Sequence, residues 1–214
     1  MKKLTFTIVA GIALLTGCSK DETNEIIQNE TNQEVLVVNQ IDGTSQYEAL
    51  PNDAQYLDFN AADNKAGSLE ASTEGAFIPP YKNAMTITWD GVHNANAIYG
   101  QAEMKQESPN SNFIFSITTE CVIAVGNEAV YGGVINKAKG VYDGFANVGE
   151  GWRVYFKVTD GDKAKGTVDQ ISNTILFAAP KTESLCNVYS PNDIIWTTLG
   201  TTDINAPGYV IVKH

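Results

Sequence analysis

An all-β fold, an antiparallel β-sandwich with a small β-barrel as the alternative, is what this 214-residue sequence predicts. Three observations carry the prediction. Apolar and polar residues alternate over short runs, turn-forming residues separate those runs at close spacing, and no segment sustains the spacing of an amphipathic helix.

Taken in order, Val35-Leu36-Val37-Val38 reads as a short first strand. From Asp42 to Pro80 the chain is small and polar, with Asp53, Asn60, Ala61-Ala62-Asp63-Asn64 and Ile78-Pro79-Pro80. It is expected to be irregular to about residue 80, with Tyr47, Tyr56, Leu57 and Phe59 packing part of it on the domain. Met85, Ile87 and Trp89 then alternate with Thr86 and Thr88. Ile98 to Lys105 sets Ile98, Gly100, Ala102 and Met104 on one side and Tyr99, Gln101, Glu103 and Lys105 on the other. Phe113, Phe115 and Ile117 again take every second position. Trp152, Val154, Phe156 and Val158 against Arg153, Tyr155, Lys157 and Thr159 describe a strand with one face in a core and one wet. Later strands are expected near Ile171 to Phe177, Ile194 to Thr198 and Tyr209 to Val212.

The sharpest local signal is Cys121 to Val125, then Gly126-Asn127, then Glu128 to Ile135. Two apolar runs joined by Gly-Asn predict a tight hairpin, because both turn positions tolerate positive φ. A two-residue loop pairs Val125 with Glu128 and Ile123 with Val130. Gly132-Gly133 inside the second strand predicts a bulge or the close approach of another backbone. Asp160-Gly161-Asp162 ends the strand from Trp152 with another turn.

The N-terminus carries a different kind of signal. Met1-Lys2-Lys3 and an apolar run from Leu4 to Leu15, too short to span a bilayer, precede Leu15-Thr16-Gly17-Cys18. This stretch resembles the lipobox of bacterial lipoproteins. The resemblance implies a signal peptide over residues 1–17, cleavage before Cys18 and acylation of the Cys18 thiol, with palmitate-like chains anchoring the protein in a membrane. One acyl chain binds a membrane only marginally, whereas two or more hold it stably. Ser19-Lys20-Asp21-Glu22 is similar to the acidic export signal of Bacteroidota surface lipoproteins, which implies the outer membrane and its outward face. Residues 18–34, rich in Asp, Glu, Asn, Gln and Thr, read as the lipidated cysteine and a flexible tether, and 35–214 as a single domain. Within that domain the run from Gly100 through Cys121-Val122, Gly126-Asn127, Gly132-Gly133 and Thr159-Asp160-Gly161 to Asp169-Gln170-Ile171 resembles an uncharacterised secreted bacterial β-domain, a resemblance that implies no activity.

Composition narrows the partners. The whole chain has 14 basic and 25 acidic residues; without residues 1–18, which hold Lys2, Lys3 and no acid, the net charge is −13. Such a surface repels phosphate backbones, so nucleic acid is excluded as a partner. With Cys18 lipidated, Cys121 and Cys186 remain, either as a disulfide across a long loop or as two thiols.

Catalytic patterns are scarce. His93, in a turn-like stretch, and His214 are the two histidines; no zinc spacing and no Gly-x-Ser-x-Gly elbow accompanies them. Gly149-x-Gly151 lacks a third glycine and precedes a strand, so no phosphate-cradling loop is read there. Asp160, Asp162 and Asp169 around Gly161 and Gly166 form a candidate calcium ligand set, although their spacing is not that of an EF-hand. Trp89 and Trp196 are candidate platforms for stacking on a sugar, with Trp152 assigned to the core. The expected function is a lipid-anchored, non-enzymatic binding module for a glycan or protein partner. A structural envelope or adhesin component, or a carboxylate-dependent hydrolase, is the alternative.

Overall fold

The computed structural model describes residues 34–40, 45–49, 71–78, 85–94, 97–107, 112–141, 148–178 and 190–213. The expected lipobox, Cys18, the tether to residue 33, Cys186 and His214 lie outside them. The compact unit to which the described residues belong runs from Asn32 to His214.

The chain is all-β and antiparallel, as its alternation predicts. The described residues form twelve strands: β1 (Glu34–Val38), β2 (Ser45–Ala49), β3 (Ala71–Phe77), β4 (Met85–Asn94), β5 (Ala97–Glu107), β6 (Asn112–Val125), β7 (Glu128–Val141), β8 (Arg153–Thr159), β9 (Asp169–Ser172), β10 (Thr174–Phe177), β11 (Thr201–Ile204) and β12 (Tyr209–Lys213). They hydrogen-bond into one sheet, ordered β12-β3-β4-β5-β6-β7-β8-β10-β1-β2, with β9 on β8 and β11 on β9. The sheet curls into a half-barrel. Strands β3 to β8 follow one another as neighbours, so each buries its apolar positions beside the last.

Inside the curl lies the main core. Met85, Ile87, Trp89, Met104, Phe113, Phe115, Tyr131, Val154, Phe156 and Ile171 meet there, with Leu36 and Val38 from β1 and Val210 from β12. Tyr131 stacks on Phe156 with centroids 4.9 Å apart, and Trp89 meets Phe156 edge-on at 5.2 Å. Full burial of such a side chain is worth about 1.5–3 kcal/mol.

The predicted hairpin is present in the predicted register, with Val125 opposite Glu128 and Ile123 opposite Val130. Gly126 supplies the positive φ, +61°. Gly132 and Gly133 are the close approach their sequence signalled: a Cβ on Gly132 would lie 2.6 Å from Cys121 Sγ and from the Tyr155 ring.

Several expectations are corrected. The stretch before residue 80 is not irregular throughout, because it contains β2 and β3. β3 has Ala, Ser, Thr and Gly in place of bulky β-formers, and packing against β4 and β12 makes it a strand. His93 lies within strand β4, one residue before its end, rather than in a turn. Ile194 to Leu199 is a helix, α1, and not a strand. Its buried residues Ile195, Trp196 and Leu199 share one helical face, while Asp193 before it is extended and Gly200 after it has φ +77°. The outer face of β8 is not wet. Arg153 is 3% exposed and Tyr155 1%. Tyr155 joins a second cluster with Val37, Cys121, Val130, Ile175, Phe177 and the three buried residues of α1. The helix covers that face.

Candidate functional site

A hollow among the described residues lies on the solvent face of the other half of the sheet. It is a groove of about 590 Å³ running across β12, β3, β4, β5, β6 and β7. Strand alternation builds it: Ile87, Trp89, Ala102, Met104 and Ile117 turn into the core, so Thr88, Asp90, Gln101, Glu103, Ser116 and Thr118 turn outward.

Register then sets these side chains in two rows. Thr88 faces Glu103, and Glu103 faces Ser116; Asp90 faces Gln101, and Gln101 faces Thr118. Tyr209 of β12, opposite Ala76, stands at the end of the first row with 42% of its surface exposed. Adjacent strands lie about 4.8 Å apart, so the row from Tyr209 to Ser116 extends roughly 19 Å.

Two irregularities shape the floor. Gly100 has φ +132° and sits against Gly91, where a Cβ would come within 2.3 Å of the Asp90 carbonyl oxygen. That close approach lets the Gln101 amide donate to Asp90 Oδ1 at 2.9 Å. A register shift on β7 leaves Asn136 without a partner in the β6–β7 ladder, and its Nδ2 donates to Thr118 Oγ1 at 2.6 Å. By contrast, the side chains of Thr88, Gln101, Glu103 and Ser116 make no hydrogen bond to another described residue. The groove lining contains two carboxylates, Asp90 and Glu103, and no lysine or arginine.

Neither tryptophan nominated from the sequence is a stacking platform. Trp89 is 4% exposed and its indole N–H donates to Thr73 Oγ1 at 2.9 Å, inside the curl. Trp196 is 2% exposed and its N–H donates to the Ser190 carbonyl. A ring buried on both faces leaves no face for a sugar. Among the described residues the exposed aromatics are Tyr209 and Tyr99, which is 55% exposed. The sequence pattern placed Tyr99 on the side of its strand opposite Ala102 and Met104, and Tyr209 in a strand, without singling out either.

The three aspartates are directed at backbone amides rather than at one another. Asp169 Oδ1 accepts from Gly161 N at 2.8 Å and Oδ2 from Val210 N at 3.0 Å; Asp160 Oδ2 accepts from Val212 N at 3.1 Å. Asp162 caps a short 3₁₀ turn, accepting from Ala164 N and Lys165 N. The Lys165 ammonium beside it, together with those amides, lowers its carboxyl pKa. Among the described residues no group of three acidic, histidine or cysteine side chains is placed to hold a metal ion. The work of Asp160 and Asp169 is elsewhere: β12 is an outer strand of the sheet, and these carboxylates satisfy amides that would otherwise form an exposed edge. They also join β12 to the β8–β9 end, continuing the curl where the backbone ladder stops.

Cys121 is disulfide-bonded. The remaining cysteines, Cys18 and Cys186, lie outside the described residues. Arg153 is held by Glu120, with Nε to Oε2 at 2.7 Å, and Glu120 is the extra residue of a bulge between Thr119 and Cys121. Tyr131 donates to, or accepts from, Thr119 Oγ1 at 3.0 Å; burial pushes its phenol well above the usual tyrosine pKa.

No protein-family model matches the chain, and no match was found among curated proteins or among solved structures.

Proposed function

We propose that the protein is a lipid-anchored outer-membrane lipoprotein, held through Cys18 and facing the cell exterior, whose domain binds a glycan without catalysing a reaction. The observation that carries the binding reading is the groove. Its hydroxyl, amide and carboxylate side chains stand in register across several strands, with an exposed tyrosine at one end. Sugar hydroxyls take hydrogen bonds from such groups, while an aromatic ring covers the apolar face of a pyranose. The anchor is supported by Leu15-Thr16-Gly17-Cys18 and by the acidic Ser19-Lys20-Asp21-Glu22.

Two measurements test this. A glycan-array screen of the detergent-solubilised full chain should give hits that weaken with Tyr209→Ala. Metabolic labelling with a fatty-acid analogue should mark the wild type and not Cys18→Ser, which should leave the outer-membrane fraction. An array without hits removes the glycan reading, and equal labelling removes the anchor.

A hydrolase is the second reading, favoured by the presence of Asp90 and Glu103 in one groove. Paired carboxylates are what glycoside hydrolysis requires. Release of reducing ends from any bound glycan, abolished by Asp90→Asn or Glu103→Gln, would replace binding with catalysis.

A further inference from the structure

Resting on the groove as a glycan site, we infer that it selects by charge: amino-sugar chains bind best, neutral chains next, and uronate chains are rejected. Asp90 and Glu103 line the groove and no cationic side chain does. Glu103 occupies the middle of the first row, between Thr88 and Ser116, and makes neither an ion pair nor a hydrogen bond to another described residue. Asp90 lies one row away, its Oδ1 already holding the Gln101 amide. The nearest lysines lie outside the lining, and the ammonium of Lys105, which also feels the Glu103 carboxylate, has Glu107 as its first partner. Lys105 is bridged to Glu107 at 2.6 Å, and Lys137 stands beyond Ser116 outside the lining.

A chain laid along the row therefore passes over Glu103 with Asp90 beside it. A ring bearing an ammonium gains attraction there, and a ring bearing a carboxylate meets repulsion. The residues that make the hydrogen bonds, Thr88, Gln101 and Ser116, are neutral and serve each class alike. Charge at Glu103 and Asp90 is then the discriminating feature. Glu103 is the specificity-determining residue.

The test is titration of the detergent-solubilised full chain with chitosan oligosaccharides, cello-oligosaccharides and oligogalacturonates at low salt. The expected order is chitosan, cello, galacturonate, with about tenfold between the first and the last for partly solvated unit charges near contact. Glu103→Gln should shrink that ratio several-fold, lowering the affinity for chitosan and raising that for galacturonate, while leaving the melting temperature in place. Raising the salt should shrink it in the wild type too. Galacturonate binding as tight as chitosan, or a ratio that Glu103→Gln leaves unchanged, would overturn the inference while the glycan reading stands. Failure to bind all three would remove that reading and the inference with it.

Discussion

On β5, Ala102 and Met104 lie in the core while Gln101 and Glu103 face solvent; on β8, Val154 and Phe156 lie in the core and Arg153 and Tyr155 on the opposite face are buried as well. The two strands carry the same kind of alternation. What differs is the neighbour across the second face. β8 lies under α1, whose Trp196 and Leu199 pack with Tyr155, whereas the face of β4, β5 and β6 is left open as the groove. Alternation thus says which residues share a face, and the rest of the chain decides whether that face becomes a second core or a binding surface.

The largest expected effect comes from removing the cover. Trp196→Ala should cost about 3–5 kcal/mol in denaturant melts, the range for deleting a fully buried aromatic. A cost below about 1 kcal/mol would mean that α1 rests on β8 without stabilising it.

Next is the pair of carboxylates that hold β12. Asp169→Ala leaves the half-buried Gly161 amide and the buried Val210 amide without their acceptor. Each bond to a charged acceptor is worth about 1.5–3 kcal/mol, so a total loss near 3 kcal/mol is expected. Hydrogen exchange should show β12 opening first. If β12 stays as protected as β7, the closure does not depend on Asp169.

The hairpin gives a smaller and cleaner number. A Cβ on Gly126 meets nothing within 4 Å, so only backbone strain at φ +61° opposes a side chain. Gly126→Val should cost about 1–2 kcal/mol. Ile123 and Val130, being cross-strand partners, should show coupling in a double-mutant cycle, which additive single effects would contradict.

Tyr131 supplies the pH dependence. Burial raises its folded-state pKa, so its contribution is complete below the unfolded value of about 10 and is lost as pH climbs from there toward the folded value. Stability should therefore fall on the alkaline side, and Tyr131→Phe should flatten that limb at a cost of about 1 kcal/mol at neutral pH. An unchanged alkaline limb would assign it to other groups.

The smallest effect belongs to the open face. Thr88→Ala should change stability by less than about 0.5 kcal/mol. A larger loss would mean that the groove face supports the fold, and the contrast with β8 would weaken.

The all-β class, the Gly126-Asn127 hairpin with its register, and the glycine approach at Gly132 were written locally, in turn chemistry and period-two alternation. So was the sharing of one strand face by Tyr99, Gln101 and Glu103. The strand β3 was hidden because Ala-Ser-Thr-Glu-Gly-Ala-Phe has little intrinsic strand preference, and only its neighbours β4 and β12 order it. The helix α1 was hidden because a six-residue apolar run fits either period. Only the tertiary structure could close off both faces of the Trp89 and Trp196 rings, turn Asp160 and Asp169 from a metal set into acceptors for the β12 amides, and bring Thr88, Glu103, Ser116 and Tyr209 into one row. Those outcomes depend on which distant segments meet. Local sequence fixes the direction of a side chain along its strand, while its surroundings depend on pairings across many residues and on what packs over each face.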